Sequence, residues 1–271
     1  MEGLSRRTAD SPECGSGPTD ELIGRDPRRI EAMFDAIARR YDLLNHLLSA
    51  GLDRRWRARA ISALHLSGRE RLLDLCAGTA DMMIAALTRP RSGAAVAIGL
   101  DFSAAMLARA QTKLGARKLP ATLVRGDASL IPVASTAVDV VTIAFGIRNV
   151  QDQPAACAEA YRVLREGGRI AILEFGVPWV PGVRSAYLWY FRSVLPWIGR
   201  AVSRHSEAYS YLPASVGTFP PVAEFAARLS AAGFNHVRAS PLSFGIVYLY
   251  TATKGGRGEE SPQRSSLPAS S

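Results

Sequence analysis

Three acidic side chains stand close to the ends of apolar, strand-like runs: Asp81 after RLLDLCAG (71–78), Asp101 closing AVAIGLD (95–101) and Asp127 closing ATLVRGD (121–127). Each alone has a bland explanation, as a helix cap or the end of a strand. Three in successive register are harder to explain that way. The small-residue loop Ala77-Gly78-Thr79-Ala80 lets a ligand come close to backbone, and Asp101, about 20 positions on, suits the two hydroxyls of a ribose. A dinucleotide needs the next helix N-terminus free for its pyrophosphate. Here that place holds the carboxylate of Asp81, and Met83 stands where the third glycine of G-x-G-x-x-G would sit. Both oppose NAD or FAD. S-adenosyl-L-methionine has no phosphate and carries a sulfonium and an ammonium, so neighbouring carboxylates favour it. Asp127 is placed to receive an adenine amino group, with the Ala128 backbone beside it.

The elements needed to hold such a loop follow from hydrophobic period. Helical spacing over Met33–Leu48, interrupted at Gly51, resumes over Trp56–Leu64. Strands are expected at 71–78, 95–101, 121–127, 138–146 and 169–176, each nearly all apolar, with helices between them. Ser103 is a plausible N-cap, Pro154 falls near a helix start, and Gly167-Gly168 marks a turn. Nearly all-apolar strands alternating with helices indicate a parallel sheet covered on both faces. A helix through Phe225 and Leu229 and a hairpin from 236–240 and 246–253 finish the chain. The expected fold is α/β: a Rossmann-like, doubly wound, mostly parallel seven-stranded sheet with an antiparallel last strand. An N-terminal helical cap and a helical insertion (177–211) after the fifth strand are added to it. Residues 1–25 and 255–271 read as disordered tails around one domain at 26–254.

The chain has 271 residues, 48% of them hydrophobic and 21% charged, ample for a core without disulfides or a structural metal. Its three cysteines, Cys14, Cys76 and Cys157, form no C-x-x-C pair, and no metal site is expected. The N-terminus lacks the apolar core of a secretory signal, and no run is long enough to span a bilayer. A cytoplasmic protein is expected. The net charge of +9 concentrates between Ile37 and Arg71, where eight arginines meet three acids for a local +5, with a further +3 between Gly176 and Ser210. Solvated helix faces explain such charge most often; RNA and an anionic membrane are the sharper alternatives. The insertion also carries Trp179, Trp189 and Trp197 with Tyr187, Tyr190 and Phe191. That density favours an aromatic cap over a large apolar ligand, or an interface contact, over a plain structural layer.

Four stretches carry a family resemblance: YDLLNHLLSAGLDRRW (41–56), RVLREGGRIAILEFG (162–176), AFGIRNVQD (144–152) and SEAYSYLPASV (206–216). Over about residues 30–254 the chain resembles the ubiquinone/menaquinone biosynthesis C-methyltransferases, which are class I S-adenosylmethionine-dependent enzymes. The resemblance implies that Thr79, Asp101, Asp127 and Ala128, beside Gly78, serve the cofactor. It implies methyl transfer to a ring carbon of a polyprenyl quinol, with demethylmenaquinol leading and a benzoquinol as alternative. The chain departs from the family at Ala80 (usually glycine), Asp53 (histidine), Glu166 (proline) and Ala144 (often a cofactor-contacting serine).

Such a reaction needs the ring oxygen ionised or polarised. Arg148 and Asn149 are the candidates for that task, although Arg148 could equally pair with Asp152. Tyr209, Tyr211 and His205 are candidates for the quinol pocket. Contact with anionic lipid at the inner face of a membrane fits the arginines and the aromatic insertion. Two rivals are an RNA methyltransferase, for which no appended RNA module is visible and no nucleic-acid partner is expected, and a non-catalytic quinone binder. The acceptor ring, the tail length and the oligomeric state, a homo-oligomer included, stay open.

Overall fold

The structure, a computed structural model, describes residues 27–38, 41–90, 93–190, 193, 211 and 215–255. Three short helices lead: α1 (Pro27–Ile37), α2 (Tyr41–Leu48) and α3 (Leu52–Ala63). Then β1 (Arg71–Leu75), α4 (Asp81–Leu87), β2 (Val96–Asp101), α5 (Ala104–Ala116), β3 (Ala121–Arg125) and β4 (Val138–Ala144) alternate. A 3-10 turn (Ile147–Asn149), α6 (Gln153–Val163) and β5 (Leu164–Phe175) follow. The described chain closes with α7 (Pro181–Trp189), α8 (Val222–Ala231), β6 (Asn235–Leu242), a 3-10 turn (Ser243–Gly245) and β7 (Val247–Thr253).

The seven strands lie in the order β3-β2-β1-β4-β5-β7-β6, with β7 antiparallel to both neighbours. The doubly wound sheet is as the hydrophobic pattern predicts. Because successive strand residues face opposite ways, the all-apolar strands feed two cores. Leu73, Leu75, Val141, Ile143, Ile170 and Ile172 pack with α6 and α8 through Cys157, Phe225 and Leu229. Their alternates Leu72, Val140, Ala171 and Leu173 pack with α3, α4 and α5 through Trp56, Ile61, Met83 and Leu114.

Local chemistry ends several helices where expected. Ser103 Oγ accepts from the Met106 amide (3.1 Å) to cap α5, and Asp152 does the same for α6 through the Ala155 amide (2.9 Å). Some boundaries differ: β1, β3 and β4 end two or three residues before the expected limits, the helical stretch 33–48 is divided between α1 and α2, and β5 begins before the double glycine, at Leu164. The Gly167 amide donates to the Lys254 carbonyl (3.0 Å) and the Lys254 amide to the Gly168 carbonyl (2.9 Å), which keeps this stretch paired to the sheet.

Close packing of α4 on the sheet is achieved in reverse of the dinucleotide pattern. The glycine lies on the strand, and Met83 of the helix fills it: a Cβ at Gly99 would stand 2.5 Å from the Met83 sulfur. Residues 1–25 and 256–271 of the expected tails, and most of the 177–211 insertion beyond α7, lie outside the described residues.

Candidate active site

Strand order reverses between β1 and β4, the place where a doubly wound sheet opens a crevice beyond its carboxyl ends. A cleft of about 760 Å³, counting the space open to solvent, lies there. Its walls come from the ends of four strands: Cys76 and Gly78 after β1, Asp101 and Phe102 at β2, Gly126–Ala128 after β3, and Ala144–Gly146 at β4. Ile30, Phe34 and Tyr41 of the helical cap close one side, and Asn149, Val150 and Gln151 another. Three non-glycine residues beside it hold left-handed backbone: Cys76 (φ 54°), Ala80 (φ 67°) and Phe145 (φ 59°). Such strain persists only where surrounding structure enforces it, and functional sites are where it collects. The approach of two of these loops needs Gly146, since a Cβ there would lie 2.3 Å from the Cys76 Cβ.

Asp101 is 5% exposed and accepts from the Gly78 amide (2.8 Å) on one oxygen and the Ser103 amide (2.9 Å) on the other. Burial raises its pKa, while these amides pull the other way. Each carboxylate oxygen has a second lone pair, so a fixed, partly desolvated acceptor remains for ligand hydroxyls. Asp127 is exposed, with Oδ1 held by the Ser129 amide and hydroxyl (2.8 Å each), and Ala128 is buried beside it.

Thr79 is adjacent to the cleft but does not line it. Its hydroxyl donates to Asp42, and Lys113 Nζ donates to the same hydroxyl (3.1 Å). Lys113 also bonds Asp42 (2.9 Å) and Asp81. The Asp81 charge is therefore neutralised locally, and its expected pull on a cationic ligand is largely cancelled. Beside the start of α4 a phosphate would meet the Asp42 and Asp81 carboxylates as well as the Lys113 ammonium they share. Asp53, at the departure from histidine, is buried and accepts from Arg57, holding that guanidinium inside the fold.

Arg148 does not pair with Asp152. Its guanidinium bonds Glu174 (2.7 Å), a fully buried carboxylate on β5, together with the Phe145 carbonyl (2.5 Å) and Ser215 Oγ (3.3 Å). It lies over the Phe175 ring at 5.4 Å and is not part of the cleft wall. Asn149 is part of that wall, and its Oδ1 accepts from the Tyr211 hydroxyl (3.0 Å). With Oδ1 engaged, the Asn149 amide keeps its two N–H donors for a ligand. Tyr209 and His205 lie outside the described residues. Sequence reading missed Tyr41, whose phenol is raised by burial and lines the cleft. It also missed Glu174; the signal for that one was an acid inside an otherwise apolar strand.

The family model for the ubiE/COQ5 methyltransferase family matches residues 23–254. The chain belongs to that family. A demethylmenaquinone methyltransferase of Mycobacterium tuberculosis is 42% identical over 241 residues, 89% of this chain and 98% of that one. A ubiquinone/menaquinone biosynthesis C-methyltransferase of Syntrophotalea carbinolica is 43% identical over 241 residues, covering 89% and 99%. Among solved structures, a SAM-dependent methyltransferase of Thermotoga maritima superposes with TM-score 0.58 at 17% identity, covering 82% of this chain and 98% of that one. At that identity the likeness shows the fold alone. The ubiE/COQ5 member described here is a methyltransferase with the class I sheet.

Proposed function

We propose that the protein transfers the methyl group of S-adenosyl-L-methionine to a ring carbon of a polyprenyl quinol, with demethylmenaquinol the leading acceptor. The benzoquinol intermediate of ubiquinone biosynthesis is the alternative. The observation that carries this reading is a cleft lined by both a buried carboxylate, Asp101, and an oriented amide, Asn149. The names of the relatives supply the acceptor class.

The cleft suits the cofactor on its own chemistry. Asp101 can take both ribose hydroxyls, Asp127 and the Ala128 amide can read the adenine edge, and Leu100, Phe102 and Met106 offer an apolar wall to the base. Gly78 leaves room for the amino-acid part. When bound, the cofactor supplies an electrophilic methyl on a positively charged sulfur.

The chain's own task is to make a ring carbon nucleophilic. Asn149 donates to the quinol oxygen as it gains negative charge, and Tyr211 fixes the amide that does so. Tyr41, a phenol whose pKa burial raises, is a second donor on the same wall. Arg148 sits behind this group with its charge largely balanced by Glu174. It holds the turn that presents Asn149, and its residual positive field reaches Tyr41 and Tyr211. The apolar rings Phe34 and Phe145 help exclude water from the cleft. Tyr209 remains a candidate for the acceptor's surroundings. Because a tail-bearing quinol resides in a bilayer, the reading includes peripheral contact of a cytoplasmic protein with an anionic membrane.

The test is incubation with a methyl-labelled donor and paired demethylated naphthoquinol and benzoquinol, followed by product identification. Label on a ring carbon of the naphthoquinol is expected. Label on an oxygen, or cofactor binding with no transfer to either ring, would overturn the proposal.

A further inference from the structure

Phe244 is 63% exposed, and its backbone is left-handed (φ 59°) between two further left-handed residues, Ser243 (φ 48°) and Gly245 (φ 88°). Holding a bulky aromatic residue in that region costs energy, and no burial of the ring repays it. Packed against the same turn is Trp179, also 55% exposed: a Cβ on Gly245 would stand 2.5 Å from its ring. Val177, two residues earlier, is exposed as well. The turn is pinned from below by the buried Trp56 of α3, whose Nε1 donates to Ser243 Oγ (2.9 Å).

On a helix the surface neighbours of residue 56 include 52 and 59, and 55 lies one turn before 59. Arg55 and Arg59, both exposed, therefore share one edge of α3 beside Trp56, the residue that holds the turn. The three segments that meet here, 54–69, 176–190 and 240–250, contain no acidic residue. Exposed aromatic rings edged by arginines, with no carboxylate among them, are the composition of a surface that seats at the headgroup level of an anionic bilayer.

We infer that the turn Ser243–Gly245, Trp179 and the Arg55/Arg59 edge of α3 form a foot that docks the molecule on anionic lipid and sets the side from which the acceptor enters. The inference rests on the quinol reading and narrows its membrane contact to one face. Rings connect that face to the cleft. Trp56 packs near Phe145 and Phe175 (centroids 6.1 and 6.5 Å), Phe145 and Phe175 lie tilted together at 4.7 Å, and Phe145 is itself a cleft wall. The foot and the cleft wall are thus tied through one packed ring cluster, which fixes the foot's position relative to the methyl-transfer centre.

Vesicle sedimentation of the full chain tests this, using phosphatidylcholine alone and an equal mixture with phosphatidylglycerol. Three proteins are compared: wild type, Arg55→Gln/Arg59→Gln, and Phe244→Asn, which tolerates the left-handed backbone while removing the ring. Wild type should bind the anionic vesicles and barely bind the neutral ones. Removing both arginines should weaken binding about 25-fold, roughly fivefold per charge, and Phe244→Asn should weaken it severalfold. All three should methylate a short-tailed, soluble quinol equally, while turnover of a long-tailed quinol in anionic vesicles falls in both variants. Unchanged vesicle binding in the variants, equal binding of wild type to both lipids, or a dimer dissolved by Phe244→Asn would each overturn the foot. Failure of wild type to methylate the short-tailed quinol would instead sink the quinol reading, a separate outcome.

Discussion

Asp74 sits in the middle of β1, 1% exposed, with Thr142 donating to Oδ1 (2.6 Å) and Oδ2 buried without a hydrogen bond. Desolvation raises its pKa to about 7. The folded protein then holds this proton more tightly than the unfolded chain between the ordinary carboxylate range and about pH 7. Stability therefore falls as pH rises through that window. Asp74→Asn keeps an acceptor for Thr142 and removes the titration. In urea unfolding, the stability of wild type relative to the variant should drop by on the order of 3 kcal/mol between pH 4 and pH 8; parallel pH profiles would contradict this. Arg148 and Glu174 are coupled more tightly. Arg148→Met leaves a buried carboxylate alone and should cost about 3–5 kcal/mol. The double variant with Glu174→Met should recover much of that stability but not the activity. If it recovers both, Arg148 has no part in the reaction.

Each cap helix is tied by polar contacts to a loop of the cleft. On α1, Asp35 accepts from Ser103 Oγ (2.5 Å) and Glu31 pairs with Arg125 (2.6 Å), while Asp42 on α2 holds Thr79 and Lys113. These ties keep Ile30, Phe34 and Tyr41 against the cleft. Asp42→Asn should speed cofactor dissociation about fivefold, the effect of one charged hydrogen bond weakened by ~1 kcal/mol, as stopped-flow displacement would record. An unchanged rate would mean the cap does not hold the ligand in. Gly146→Ala should destabilise the fold by about 1–3 kcal/mol through its clash with Cys76. Adding Cys76→Gly should restore most of the loss, because it removes the clashing atom and suits the left-handed backbone there.

The alternation of strands and helices was legible because both faces of the sheet are buried, which leaves apolar runs that period alone can read. The Asp101 end of the cleft was legible for a similar reason: the loop, the strand and the acid are close in sequence. Glu174 was not, since it meets Arg148 across β4 and β5, and sequence proximity pointed to Asp152 instead. Asp152 is engaged in capping α6. The ties of Thr79 and Asp81 were not legible, because Lys113, which engages both, stands more than 30 residues later.

At the scale of the whole molecule, the positive charge has several local uses and does not act as one field. Arg57 is held inside by Asp53, Arg148 by Glu174 and Lys113 by two aspartates, while Arg55 and Arg59 face outward. What unites the molecule is a crevice at the sheet's reversal point, lined by carboxylates and by an oriented amide. Calorimetric titration of wild type and Asp101→Asn with S-adenosylmethionine and with NAD measures that directly. S-adenosylmethionine should bind wild type at a single site, and the variant about 10- to 150-fold more weakly, the range for a lost charged hydrogen bond of roughly 1.5–3 kcal/mol; NAD should give no binding heat. Tight NAD binding, or equal affinity of variant and wild type for S-adenosylmethionine, would contradict the account.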